Sequence, residues 1–259
     1  MIRSLKEMKG YKLLAEGDQF GKIKDIYFDS DEWTVRYLVV ETGSWLNSRQ
    51  VLVPPQILGL PDWNNQVFPT SLTKQQIKDS PPVDTDRPVS RQYETDLYSY
   101  WGWTPYWVRT GAMAPMPPGP TPGYEPEETA YGRRTAGADT GVATQREGDP
   151  DLRSLDEVTG YGISAVDDDI GHAEDFLVDD ESWDLRYLVV DTRNFLPGRK
   201  VIVSTQWITG IDWPDSRVSV DLTADDIKNS PEYDPKAPIN RDYEERLYTH
   251  YGRPRYWNY

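Results

Sequence analysis

Cysteine is absent from the 259 residues, which excludes disulfide bridges and thiolate metal sites. A cysteine-free chain fits a reducing compartment, and a cytoplasmic location is the expectation. Long apolar runs are missing as well. The longest, around Leu38 to Val40 and Leu188 to Val190, reach four or five residues, far below the ~20 needed to span a bilayer. The opening MIRSLKEMKGYKLL carries a charge every few residues and does not suit a secretory leader. Phenylalanine is scarce, 5 against 10 Trp and 17 Tyr. Tyr and Trp bury an apolar body while keeping a polar tip, so this preference favours half-exposed packing and interfaces. Positive charge is in deficit: the net charge is −15, divided as −2 over residues 1–107, −2 over 108–150 and −11 over 151–259. Such a chain offers little to nucleic-acid phosphates or anionic lipid, and neither is expected as a partner.

What the chain does have is a copy of itself. An offset of 150 aligns residues 3–107 with 153–257 without a gap, and about 41 of 105 positions are identical. The triplet RSL opens both copies at Arg3 to Leu5 and Arg153 to Leu155. RYLVV occurs at Arg36 to Val40 and Arg186 to Val190, and R-x-Y-E-x-x-L-Y at Arg91 to Tyr98 and Arg241 to Tyr248. A period of this length is domain-sized, so two independently folding copies are expected: residues 1–107 and 151–259, each with a helical and aromatic extension. Residues 108–150 are rich in Pro and Gly and nearly devoid of aliphatic side chains, which predicts a disordered, flexible linker.

Within a copy, short extended runs punctuated by turn residues dominate. They are YKLLAEG from Tyr11, FGKIKDIYFD from Phe20, WTVRYLVVET from Trp33, RQVLVP from Arg49, QILGL from Gln56 and QVFPT from Gln66. The loose alternation from Phe20 to Asp29 suggests a bulge, with Gly21 and Gly171 the natural positions. A helix is predicted after Thr73, where T-x-x-Q forms a capping box with Gln76, and Thr223 with Asp226 keeps the cap. A second helix is predicted after Ser90 and Asn240. The fold class is therefore mainly β: two small antiparallel barrels of about six strands, each followed by short helices.

The ordered motifs carry a family resemblance. Asp18 to Gly21 form a D-x-F/I-G turn, and a strand then ends at Asp29. W-x-V/L-R-Y-L-V-V, R-x-V-L/I-V and L-T-x-x-x-I-K-x-S-P follow, in both copies. Together with the Y-E-x-x-L-Y extension this resembles the PRC-barrel family, over both copies. The signature positions are Gly21, Trp33, Arg36 and Tyr37, and Gly171, Trp183, Arg186 and Tyr187. The resemblance implies a small six-stranded barrel acting as a protein-docking body, as in the reaction-centre H subunit and the ribosome maturation factor.

Catalytic patterns are sparse. His172 and His250 face Lys22 and Tyr100 across the repeat, so neither belongs to a shared feature, and no nucleophile or phosphate-loop motif occurs. The group Asp167-Asp168-Asp169 with His172 lacks the spacing of a calcium loop. Asp25/Asp175 and Asp29/Asp179 recur, and the simplest account is turn formation and partnering of Arg36 and Arg186. No catalytic residue, cofactor or metal site is assigned. The best interaction candidates are the aromatic tails: Trp101, Trp103, Tyr106 and Trp107, with Tyr251, Tyr256 and Trp257 in the second copy. These act either as lids on their own copy or as an interface to a protein partner. The expectation is a non-enzymatic two-barrel adaptor. The alternatives are a sensor of a small ligand or divalent metal, and a soluble relative of the H subunit linked to photosynthetic electron transfer. A homo-oligomer is compatible with the sequence.

Overall fold

The computed structural model describes residues 1–81, 83, 89, 91–103, 105–106, 151–192 and 199–258. The expected linker, Trp107 and the expected cap Ser90 lie outside the described residues. The first copy contains β1 (Ile2–Ser4), α1 (Leu5–Met8), β2 (Lys12–Ala15), β3 (Asp18–Asp29), β4 (Thr34–Thr42), β5 (Gln50–Val53), β6 (Val67–Pro69), α2 (Lys74–Asp79) and α3 (Arg91–Trp101). The second contains β7 (Leu152–Ser154), α4 (Leu155–Val158), β8 (Gly162–Ser164), β9 (Asp169–Asp179), β10 (Leu185–Asp191), β11 (Lys200–Ser204), β12 (Ile208–Asp212), β13 (Arg217–Val220), α5 (Ala224–Asn229) and α6 (Arg241–His250). The fold is mainly β, with two sheets and a few short helices. Among the described residues no helix is long and apolar enough to cross a membrane.

The strands do not sort by copy. One sheet runs β5-β4-β3-β2-β6 and takes β7 onto β3; the other runs β11-β10-β9-β8-β13-β12 and takes β1 onto β9. The opening strand of each copy is thus laid on the sheet of the other, Ile2 opposite Asp179 and Leu152 opposite Asp29. Two independently folding copies were expected; instead each sheet is completed by an arm from its twin. The Arg and Ser of each RSL triplet lie in these arms, and its Leu opens the helix that follows.

Local sequence explains the arm. Ser4 and Ser154 sit in extended backbone and accept from the N–H of Glu7 and Glu157, which starts a one-turn helix. That turn buries Leu5 and Met8, or Leu155 and Val158, in the shared core. β4 carries the strongest strand signal, and Val35 to Val40 are buried. Three bulges bend strands β2 to β4 of the first copy. One lies beside Gly21, as expected, where Leu13 pairs with Gly21 but Leu14 with Gln19; the others fall at Lys24 and Arg36. Gly21 passes so close to β4 that a Cβ would lie 2.7 Å from the Glu41 carbonyl oxygen.

The C-terminal helices follow the predicted caps. Thr73 and Gln76 form the reciprocal box, Thr223 accepts from Asp226, and Asn240 accepts from Tyr243. One strand differs between copies. Ile208–Asp212 is a continuous, once-bulged partner of β13, whereas the corresponding residues 58–62 make isolated bridges at Leu58 and Asp62. Pro61 replaces Ile211 and removes a donor from that edge.

Candidate functional site

The recurring carboxylates hold the arms. Asp25 accepts from Ser154 Oγ at 2.6 Å, from the Asp156 N–H at 3.2 Å and from the Ile26 N–H at 2.8 Å. Asp175 does the same for Ser4, Lys6 and Phe176. Burial raises both carboxyl groups above the ordinary carboxylate range, Asp175 to about 6, although these hydrogen bonds pull the other way. Turn formation and partnering of Arg36 and Arg186 were the expected roles of Asp25/Asp175 and Asp29/Asp179. Asp29 fills both and Asp179 the turn, while Asp25 and Asp175 do neither, which corrects that expectation. Arg36 pairs with Asp29 at 3.1 Å and Glu32 at 2.5 Å, while Arg186 takes Asp184 at 3.1 Å. Asp25 was misassigned because its partners lie about 130 residues away, in the other copy.

The signature tryptophans sit at the seam. Trp33 and Trp183 adopt left-handed backbone, φ 52° and 63°, which bulky side chains rarely do. Each then presents its carbonyl to the other copy: Leu185 N–H donates to Trp33 at 2.7 Å and Val35 N–H to Trp183 at 2.9 Å. Behind them Phe28 and Phe176 meet with ring centroids 4.9 Å apart, and Trp183 packs 6.0 Å from Phe68. Arg3 stacks on Trp63 at 4.4 Å, and Arg153 on Trp213 at 4.6 Å.

The aromatic tails fold back on their own copies. Trp101 and Tyr251 are buried; Trp103, Tyr106, Tyr256 and Trp257 are half-buried. Tyr37 and Tyr106 both donate to Glu94, at 2.8 and 3.1 Å. Tyr187 and Tyr256 both donate to Glu244, at 2.7 and 2.9 Å, and Arg241 adds an ion pair at 3.0 Å. Arg36 covers the Tyr106 ring at 3.9 Å, and Arg186 the Tyr256 ring at 4.9 Å. Burial drives the Tyr37 and Tyr187 hydroxyls far above their ordinary range, so both remain donors. Glu94 and Glu244 were missed as functional pieces. Their signal was the Glu of R-x-Y-E-x-x-L-Y, identical in both copies yet set among apolar positions.

The histidines and the acidic turn are tied into local structure. His250 Nε2 lies 2.7 Å from the Asp226 carbonyl oxygen, and Tyr100 donates to the equivalent Gln76 carbonyl at 2.9 Å. This corrects the reading that His250 shares nothing with the first copy: two different donors perform one task. His172 Nε2 is 4.0 Å from the buried Asp191 carboxylate. Asp167 accepts from the Ala224 N–H, and Asp169 binds Ser164 and Arg217. Among the described residues no group of three or more acidic or histidine side chains is placed to hold a metal.

An apolar cleft of about 650 Å³ opens along the seam. Val35, Leu58, Pro61 and Phe68 line one wall, and Asp180, Glu181 and Trp183 the other. Leu60 stands at its mouth, 93% exposed. The position corresponds to Gly210 in the second copy, and nothing in the hydrophobic pattern distinguished it.

Bulged sheets, a short capped helix and structural carboxylates define a duplicated, mainly β chain. The sheets are antiparallel except where β2 meets β6 and β8 meets β13; these pairs run parallel and correct the expectation of wholly antiparallel copies. Residues 2–67 match the family model described as the PRC-barrel domain, and the chain carries a PRC-barrel domain there. It is also 33% identical over 78 residues to an uncharacterized protein of Deinococcus radiodurans, covering 30% of this chain and 28% of that one. The chain therefore matches less than a third of that relative's length.

Proposed function

We propose that the chain is a non-enzymatic protein-docking module in which residues 153–257 form a second PRC-barrel unit joined to the first. The observation that carries this reading is the seam cleft with Leu60 at its mouth. A leucine exposed to this degree beside an apolar cleft contributes nothing to folding, and contiguous exposed apolar surface marks interaction sites. The repeated carboxylates support the non-enzymatic part, because Asp25, Asp175 and Glu244 are each engaged in holding strands, helices or tails. The partner fitted by the cleft is a protein segment with an apolar side chain flanked by lysine or arginine, since Glu181 lines its second wall and the chain carries −15.

A photoreactive amino acid at position 60, cross-linked in native cells, tests this. One dominant protein partner is expected, and the purified partner should bind Leu60→Asp at least about tenfold more weakly, with the fold unchanged. Equal binding to parent and variant sinks the proposal, as does the absence of any cross-link.

A further inference from the structure

The two arms make the same backbone contacts but carry opposite charges, and so do the strands that receive them. Lys6 and Asp156 occupy equivalent places; each donates its N–H to the carboxylate beneath, Asp175 at 3.0 Å and Asp25 at 3.2 Å. The bulge residue beside that carboxylate is Glu174 in β9 and Lys24 in β3. Lys6 Nζ lies 3.6 Å from Glu174 Oε1, which Lys200 also holds at 2.7 Å. Asp156 pairs with Lys9 of the first copy, whose receiving strand carries Lys24 in the place of Glu174. The pattern continues outward. Arg3 Nε donates to Asp180 at 3.2 Å, and the Met1 amine joins the same carboxylate. The first copy has Ser30 at that place, where it donates to the Asp151 carbonyl, and among the described residues Arg153 Nε has no hydrogen-bond partner.

Pairing like with like would keep the strand ladder and the serine–aspartate contacts, because Ser4, Asp25 and their mates recur in both copies. Shape alone does not choose. Charge does: two first copies would set Lys6 toward Lys24, and two second copies Asp156 toward Glu174, twice in each pair. Specificity of this kind is a difference between affinities, built as much from repulsion in the wrong pair as from attraction in the right one.

We propose that residues 6, 24, 156 and 174 are partner-selecting residues, which direct the arm of a first copy to the sheet of a second copy and reject like-with-like pairing. The partner this surface fits is the opposite copy of the same chain. Part of the acidic excess of residues 151–259 then has a local use, as the receiving surface for a cationic arm.

The test starts from the full chain with a protease site placed within residues 108–150. Cutting removes the tether, which would otherwise favour mixed pairing whatever the charges. After cleavage, unfolding in urea and dilution, native mass spectrometry weighs the mixed and the like pairs. The parent should give mixed pairs in at least about tenfold excess over like pairs. The K6D/E174K variant has acidic arms and basic receiving strands throughout. It should fall to a random mixture with about half of the pairs mixed. The mirrored K24E/D156K variant, with basic arms and acidic strands, should do the same. Circular dichroism of the uncut variants controls for folding, and two variants of opposite sign guard against one that folds poorly. A random mixture from the parent overturns the proposal, and so does an undiminished excess in both variants. Fragments that separate into lone copies overturn it too.

Discussion

Ser154 donates to Asp25 across 129 residues of sequence, and Ser4 repeats the contact with Asp175 in the opposite direction. A side chain of one copy thus completes the helix start of the other. The copies cannot be loosened one at a time, and the first prediction is a cross-effect. Asp175→Ala, a change in the second copy, should speed amide exchange at Leu5 to Met8 in the first. Asp25→Ala should do the same at Leu155 to Val158. Each leaves a serine hydroxyl and an N–H without their buried acceptor, so a loss of about 1–3 kcal/mol is expected by chemical denaturation. Exchange confined to the mutated copy would refute the arm assignment.

The same carboxylate should give stability a pH dependence. Asp175 has an unfolded value of 3.8 and is raised to about 6 by burial. A raised carboxyl favours the protonated native state, so its contribution is fully present below 3.8 and is lost as pH rises through about 6. Parent stability should therefore gain on Asp175→Asn by at most about 3 kcal/mol on acidification from about pH 7 to about pH 4. Urea titrations of both proteins across that window check the sign. A parent that loses ground to the variant on acidification would contradict it.

Much of this fold is legible where the determinant is local. Thr73 with Gln76 and Asn240 before Tyr243 mark helix starts by side-chain chemistry within one turn. Trp33 to Thr42 announces β4 by β-branched density, and Gly21 marks the tight passage by lacking a side chain. The arms escaped because a three-residue strand has no periodicity to read, and no pattern says which copy it joins. Asp25 was linked to Arg36 for the same reason: proximity in sequence stood in for a partner 129 residues away. The tails could be narrowed to lids or interface, but Glu94 and Glu244, which hold them down, became visible only once Tyr37 and Tyr187 met them in space.

Glu244 should anchor the C-terminal tail. It takes two tyrosine hydroxyls and Arg241, and Tyr256 and Trp257 lie over this cluster. Glu244→Ala leaves Tyr187 buried without its acceptor, and a loss of about 2–4 kcal/mol is expected. The tail should detach before the sheets unfold, so trypsin should cut after Arg255 several-fold faster than in the parent; the bond after Arg253 precedes Pro254 and resists trypsin. Glu244→Gln keeps acceptor geometry for one tyrosine and should fall between the two. Unchanged cleavage would mean that the tail is held by ring packing alone.

Gly171 should be the least replaceable of the repeat signature positions. Its φ is +66°, and a Cβ there would lie 2.2 Å from the Asp191 carbonyl oxygen, a backbone atom that cannot swing aside. At Gly21 the φ is not left-handed, and the nearest neighbour is the movable Val40 Cγ1 at 2.6 Å, with the Glu41 carbonyl at 2.7 Å. Alanine at Gly171 must overcome both backbone strain, about 1 kcal/mol or more, and a main-chain clash. Alanine at Gly21 meets the clash without the strain. Both variants should be destabilised, Gly171→Ala more severely, with β9 pulled away from β10 and with it the surface that receives β1. Thermal unfolding should therefore fall in the order parent, Gly21→Ala, Gly171→Ala, and amide exchange at Ile2 to Ser4 should rise in Gly171→Ala. The reverse order would show that the close passage at Gly21, rather than the left-handed backbone at Gly171, limits this part of the fold.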